Sequence, residues 1–134
     1  MASARLIKYD TSILDAEDSA AWGSVIDVKD FNHLVLQFST ASSANGTVKF
    51  AGAASDSAPT FSAAKSPSNI WDYVAVLDLE DSSKIDGDTG ISVAGTDDTR
   101  LLMVNVDGLS YLSAQVSAHV AGAFTVKVTA FDDR

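Results

Sequence analysis

The sequence contains no cysteine, only two prolines and only two histidines among its 134 residues. Without cysteine the chain can form neither a disulfide nor a thiolate metal site, so packing, hydrogen bonding or assembly must supply its stability. No segment approaches the roughly 20 apolar residues that span a bilayer, and the first twelve residues lack an apolar run of signal-peptide length. We therefore expect a soluble protein that is made in a cytoplasm and does not bind membranes.

Positive charge is also scarce. Nine basic residues stand against 18 acidic ones, which gives a formal charge of -9 and a pI near 4.3. Because so acidic a surface repels phosphate groups, we expect no direct binding of nucleic acid or anionic lipid. The content of 46% hydrophobic and 20% charged residues is typical of a globular chain. The length predicts a single domain over residues 1–134.

Motifs for catalysis and metal binding are missing from the sequence. It has no P-loop, no dinucleotide fingerprint and no Gly-x-Ser-x-Gly element, and no motif singles out a pair of carboxylates. His33 and His119 do not have the spacing of metal ligands. Asp86-Gly87-Asp88, with Asp81 and Asp97-Asp98 nearby, lacks the glutamate that an EF-hand loop requires. We predict a protein with no enzymatic activity, no cofactor and no metal, in which these acids form solvated turns.

The clearest pattern is a strand-like alternation in Val104 to Phe131. Apolar residues recur at every second position from Leu112 to Val120 and again, after Ala121-Gly122, from Phe124 to Ala130, which predicts two strands joined by a turn. A similar sequence pattern occurs 78 positions earlier, from Ile26 to Phe50, with Asn45-Gly46 as the turn dipeptide. The repeat predicts two corresponding hairpins.

The remaining strand-like segments define the fold class. Leu6 to Leu14 alternates imperfectly, as an edge strand can, and Ile70 to Leu79 is apolar on both faces, as a central strand can be. With Trp22 to Val28, Gly90 to Ala94 and Arg100 to Val106, the count reaches about eight strands. We predict an all-β, two-sheet β-sandwich; a jelly-roll-like arrangement is preferred to an immunoglobulin-like one, although the sequence alone does not decide between them.

Residues 53–69 form the longest irregular segment, rich in alanine and serine and containing both prolines. We predict a surface loop or arm there. Extended segments of small residues can add to the sheet edge of a neighbouring protein, so we expect the arm and the N-terminal segment to bind a partner. The candidate partner-binding residues are Arg5, Ile7, Tyr9, Pro59, Phe61, Lys65 and Pro67.

Aromatic side chains allow a different interpretation, in which Trp22, Trp71, Tyr73 and Tyr111 form a platform for sugar. However, Trp71 and Tyr73 alternate in register with two leucines, Leu77 and Leu79. Since aromatic residues on an apolar strand face usually fill the core, we expect core packing for Trp71 and Tyr73.

Two motifs resemble those of small virion proteins of tailed bacteriophages. They are V-x-V-x-G-L-x-x-L-x-x-x-V at Val104 to Val116 and T-V-K-V-T-A at Thr125 to Ala130, in a cysteine-free acidic chain with loops rich in small residues. The proteins most similar in pattern are head decoration or cement proteins. The resemblance implies a jelly-roll or related sandwich without catalytic residues or cofactor.

The resemblance also implies a location and partners. Decoration proteins bind the outside of the capsid as dimers or trimers over junctions between capsomers, so the expected partners are the major capsid protein and other copies of the chain. The chain would be made in the host cytoplasm and end on the virion surface. The alternative is a tail or fibre accessory module that binds host carbohydrate. A small hydrolase or lyase on a sandwich scaffold is a third possibility, but no motif supports it.

Overall fold

A computed structural model describes residues 7–132, and this part of the chain consists of β-strands and connections, with no helix. The all-β class predicted from the alternation is confirmed. The ten strands are β1 Ile7–Glu17, β2 Ala21–Trp22, β3 Ile26–Asp27, β4 His33–Ala53, β5 Asp72–Tyr73, β6 Val76–Asp78, β7 Lys84–Ile85, β8 Ile91–Ala94, β9 Thr99–Met103 and β10 Tyr111–Asp132.

The ten strands belong to one antiparallel sheet, whose main order is β1-β10-β4-β9-β6-β7. β2 and β3 also pair with β10, and β5 and β8 also pair with β4. β1 lies at the end of this order, as predicted for an edge strand. The prediction of about eight strands in a two-sheet, jelly-roll-like sandwich differs from this arrangement. β4 and β10 are long enough to run through both halves of the structure, so their hydrogen bonds join the strands into a single sheet.

The two predicted hairpins are wrong. Asn45-Gly46 lies inside β4 and Ala121-Gly122 lies inside β10, and these two long strands pair with each other from His33–Phe131 to Ala53–Tyr111. Gly46 serves a close approach, because a Cβ at this position would lie 2.4 Å from the carbonyl oxygen of Ala118. Gly122 has a φ of 79° in an irregular part of β10, a backbone conformation that glycine adopts without strain.

The centre of the β4–β10 pair is irregular and bent. The register shifts three times between Val116 and Ala123 of β10, and on the facing strand Ser42 and Ser43 have φ values of 64° and 54°. Bulges of this kind bend a strand and increase its twist. As a result Phe38 from the first half of β4 and Phe50 from its second half lie in the same hydrophobic core.

Asp97 holds the bent segment of β4 in place. Its Oδ1 accepts hydrogen bonds from the N–H of Ala44 at 3.0 Å and from the hydroxyl of Thr40 at 3.2 Å, and its Oδ2 accepts one from the N–H of Ser43 at 3.3 Å. The Ala44 N–H is the main reason why the pKa of the Asp97 carboxyl is below its usual value of 3.8. An acid predicted to lie in a solvated turn therefore supports the backbone of another strand.

Replacing Asp97 by alanine is expected to lower the melting temperature by about 3–6 °C at neutral pH, because the bulge loses its acceptor. A carboxyl whose pKa is lower in the folded state contributes stability above its unfolded pKa and loses that contribution as the pH falls through its folded pKa. The difference between wild type and variant should therefore narrow below pH 3.8. Thermal denaturation at neutral and acid pH measures this difference. Asp56→Ala, at an exposed position on the arm, is the control, and a difference that stays constant with pH would contradict the role of the ionised carboxylate.

The repeat in the sequence corresponds to an approximate two-fold relation in the sheet. In the sheet Leu34 pairs with Ala130, and Gly52 pairs with Leu112. Adding 78 to the residue numbers of Leu34 and Gly52 gives Leu112 and Ala130, so the repeat relates one pair to the other. The flanking strands follow the same relation. β9 pairs with the first half of β4, as β2 and β3 pair with the first half of β10. β8 pairs with the second half of β4, as β1 pairs with the second half of β10. The chain is thus two copies of one strand unit with residues 54–84 inserted between them.

The inserted segment explains why the predicted central strand from Ile70 to Leu79 is wrong. β5 pairs with the second half of β4, whereas β6 pairs with β9, which lies beside the first half of β4. Between them Val74 donates a backbone hydrogen bond to Phe50. The apolar residues of this segment are therefore divided between two places, because the chain passes from one half of the sheet to the other.

Candidate protein-binding surfaces

The predicted loop or arm at residues 53–69 corresponds to residues 54–71 of the structure, since Ala53 still belongs to β4, and we call residues 54–71 the arm. The arm covers the outer face of the sheet beside the second half of β4. Phe61 and Trp71 are 3% and 8% exposed, and they form a second apolar cluster with Ala51 and Ala53 of β4. This cluster is separate from the main core, which lies on the other side of the strand. The arm is therefore packed against the sheet as a cover.

Hydrogen bonds within the arm fix its shape. The side-chain amide of Asn69 accepts from the N–H of Thr60 and donates to its carbonyl oxygen, both at 2.9 Å. Trp71 Nε1 donates to the carbonyl oxygen of Ala63 at 3.1 Å, and Ser66 and Asn69 exchange two backbone hydrogen bonds. A loop packed and bonded by its own side chains presents its exposed residues in a defined arrangement.

Lys65 is bonded to its own chain. Its Nζ lies 2.6 Å from Asp72 Oδ1 and 5.9 Å from the ring centroids of both Trp71 and Tyr73. The hydrogen bond from Lys65 is the main reason why the pKa of Asp72 is lowered, and the same bond raises the pKa of Lys65. These contacts give Lys65 a role in holding the arm against the strand that follows it.

Pro59 and Pro67 are brought together by the structure. They line one shallow hollow of about 340 Å³ on the arm, and Ile70, which is 67% exposed, lies at the same hollow. Phe61 points into the apolar cluster instead. Ile70 was missed as a surface residue because its apolar neighbours predicted a continuous strand.

The N-terminal candidates lie elsewhere. Ile7 and Tyr9 belong to β1, where their backbones pair with Asp132 and Ala130 at the edge of the sheet. Arg5 lies outside the described residues. The structure therefore gives the predicted partner-binding residues two separate locations, the arm and the β1 edge.

A further exposed apolar surface lies on the outer side of β4, β9 and β6, and we call it the open sheet face. Its exposed residues on β9 are Leu101 and Met103, which are 51% and 43% exposed. Val35, Leu77 and Met103 line a largely apolar hollow of about 570 Å³, together with Phe131. Sequence reasoning missed this surface, because alternation indicates that a strand has two faces without showing which neighbours cover them.

Three of the four aromatic residues considered as a sugar platform contact one another, and the fourth, Tyr111, packs against the same cluster. Trp22 and Tyr73 each meet Trp71 edge-on, with ring centroids 5.3 Å and 5.2 Å apart, and Trp22 stacks with Tyr73 at 6.3 Å. The core packing predicted for Trp71 is confirmed by its burial, whereas Tyr73 is only half-buried at the edge of the second cluster. This arrangement gives the rings a role in fixing the arm.

The described residues contain no group of three or more histidine, aspartate or glutamate side chains placed to hold a metal ion. Asp86 instead accepts backbone hydrogen bonds from Asp88 and Thr89 within its own turn. His119 Nε2 lies 2.8 Å from the carbonyl oxygen of Gly122, within the irregular part of β10. Over residues 7–132 there is also no helix of the length and apolar character needed to cross a membrane.

These features describe an all-β protein with a fixed arm that carries the exposed Ile70 and with one exposed apolar sheet face. Among solved structures it is similar to the SPBc2 prophage-derived protein YomS, with a TM-score of 0.73 and 14% identity over 98% of this chain and 99% of that one. It is also similar to the PBSX exported protein XepA, with a TM-score of 0.70 and 17% identity over 95% of this chain but only 38% of that one.

At these identities the likeness shows a shared fold. No family model matches the chain, and no curated protein sequence matches it significantly. The structural neighbours are phage-derived proteins, which agrees with the phage resemblance of the two sequence motifs.

Proposed function

We propose that this chain is a structural phage protein that binds the outside of a capsid and stabilises the junctions between capsomers, without catalytic activity. The phage-derived structural neighbours and the phage-like motifs support a phage-associated role. The observation that carries the capsid-binding proposal is the exposed side chain of Ile70 on an arm whose shape is fixed by hydrogen bonds and buried aromatic rings.

A fixed arm is suited to binding for an energetic reason. A side chain that is already held in place loses little conformational entropy when it meets a partner. Burying the exposed part of Ile70 contributes on the order of 1–2 kcal/mol of apolar transfer free energy. Pro59 and Pro67 border the same hollow and have restricted backbones. A protein that binds only the assembled shell stabilises that shell through the binding equilibrium.

The charge of the chain is compatible with this location. A formal charge of -9 is unfavourable for contact with packaged DNA, and it does not prevent binding through the hollow on the arm, whose lining residues are uncharged. We propose that the arm contacts the major capsid protein and that the acidic remainder of the surface faces solvent.

Replacing Ile70 by aspartate is expected to weaken binding to purified capsid shells by at least about tenfold, because a charge must then be desolvated at the contact. Val120→Asp is the matched control, since Val120 is 74% exposed and lies on β10 outside the arm. Co-sedimentation with empty shells measures the apparent affinity, and circular dichroism verifies that both variants are folded. Shell binding that is equally weakened in both variants would contradict a contact through the arm, and wild-type protein that does not bind shells would contradict the capsid role.

A further inference from the structure

We infer that the open sheet face binds a second copy of this chain. The inference concerns self-association of the free protein, and it does not depend on the capsid role. Three observations support it: the two-fold relation within the sheet, the exposure of the apolar residues on this face, and its charge.

The two-fold relation shows that the open sheet face has a covered counterpart in the same molecule. Ala53 and Tyr111 are paired in the sheet, and so are Phe131 and His33. Phe131 lies 78 positions after Ala53, and His33 lies 78 positions before Tyr111, so the two pairs are equivalent in the repeat. Ala53 and Tyr111 belong to the cluster that the arm covers with Phe61. One copy of the strand unit thus has its outer face sealed by apolar side chains of the insertion.

On the other copy the equivalent face stays accessible. Leu101 and Met103 are about half exposed on β9, and Leu79, just after β6, is 38% exposed. Leu79 and Leu101 are neighbours on adjacent segments, because the N–H of Leu79 donates to the carbonyl oxygen of Leu101. Large exposed apolar side chains grouped on one face are characteristic of surfaces that bind another protein. A second molecule can supply the apolar cover that the insertion provides on the first copy of the unit.

The charge of this face permits the approach of an acidic protein. Lys84 and Asp107 line the hollow of the face, and Lys127 and Asp10 line a second hollow beside it, over β1, β4 and β10. Each hollow thus has one basic and one acidic side chain. Arg100 alternates with Leu101 on β9 and pairs with the core residue Phe38, and its charge is bonded to Asp78 and Asp98. The chain as a whole carries a formal charge of -9. Two copies therefore repel each other less across this face than across a surface of average charge, which is the electrostatic condition for self-association.

The apolar area exposed on this face limits the expected affinity of self-association. In a standard protein interface each partner buries about 800 Å², and the exposed parts of three apolar side chains supply only a portion of that area. Polar residues on the neighbouring strands must complete the contact. We therefore expect self-association in the micromolar range, visible as a dependence on protein concentration.

Sedimentation velocity of the purified chain at about 5–500 µM, the range expected for such an interface, tests the inference. We expect the wild type to self-associate and Leu101→Asp or Met103→Asp to weaken the association at least about tenfold. Val120→Asp, which introduces the same charge at a residue outside the face, should change it less than about twofold. Wild-type protein that stays monomeric over this range would overturn the inference, as would association that both face variants retain.

A measurement on the wild-type side chain guards against variants that fail to fold. The chain has only two methionines, so the methyl signal of Met103 can be assigned by comparison with Met103→Leu. Its chemical shift should change with protein concentration, because Met103 would enter the contact. A shift that does not change while the protein associates would place the contact elsewhere. Since no shells are present, failure here leaves the shell-binding assay unaffected, and loss of shell binding leaves this result intact.

Discussion

Replacing Phe124 by alanine is expected to lower the free energy of unfolding by about 3–5 kcal/mol, the range for removing a buried aromatic ring. Phe124 is fully buried in the main core, beside the irregular centre of the β4–β10 pair. Its ring fills the space next to Gly46, where a Cβ would lie 2.9 Å from the Phe124 ring. The bent backbone restricts how far the surrounding strands can move inward, so the cavity should remain largely open.

The corresponding fall in melting temperature is about 10–20 °C for a domain of this size. Chemical denaturation followed by fluorescence gives the free energy, and Val120→Ala on the same strand is the control, because Val120 is largely exposed. The control should change stability by less than about 0.5 kcal/mol. A loss below about 1 kcal/mol for Phe124→Ala would show that the centre of the sheet is not packed around this ring.

Replacing Trp71 by alanine is expected to cost about 3–5 kcal/mol of stability and to release the arm. The substitution removes the ring that contacts Trp22, Phe61 and Tyr73, and it also removes the hydrogen bond to Ala63. Limited proteolysis should then cut within residues 54–71 before the rest of the chain, because an unpacked loop is the preferred site of cleavage.

Trp71→Phe separates the two contributions of this side chain. It keeps an aromatic ring in the cluster but lacks the N–H donor, so it should cost about 1–2 kcal/mol and leave the arm resistant to protease. Equal cleavage in wild type and Trp71→Ala would show that the arm is held by other contacts. Deleting the arm is a poor substitute for this test, since it would expose the aromatic rings that Phe61 covers.

The sequence predicts the all-β class and the edge position of β1 because both depend on local alternation. It does not predict the pairing of β4 with β10. Asn45-Gly46 satisfies the local chemistry of a hairpin turn, but pairing between the repeats places Leu34 opposite Ala130 and Leu112 opposite Gly52 on the core side of one continuous sheet. Such long-range pairing cannot be read from a dipeptide.

The candidate surfaces were predictable only in part. The alanine- and serine-rich composition of the arm, with both prolines of the chain, indicates an irregular segment, and Pro59 and Pro67 do lie at one exposed hollow. Composition gives no sign that Phe61 is buried or that Ile70 is exposed, because both outcomes depend on how the arm folds back over the sheet. The open sheet face is exposed because no segment within residues 7–132 folds over Leu101 and Met103 of β9, which is likewise a property of the whole fold.

The two-fold relation between β4 and β10 makes this polypeptide equivalent to a fused dimer. A strand unit encoded once would complete the same sheet only by joining a separate molecule, so fusion makes the assembly independent of concentration. Fusion also frees the two units to change separately, because a substitution in one is no longer copied into the other. An insertion in a single linker could then seal one outer surface and leave its twin available for new contacts.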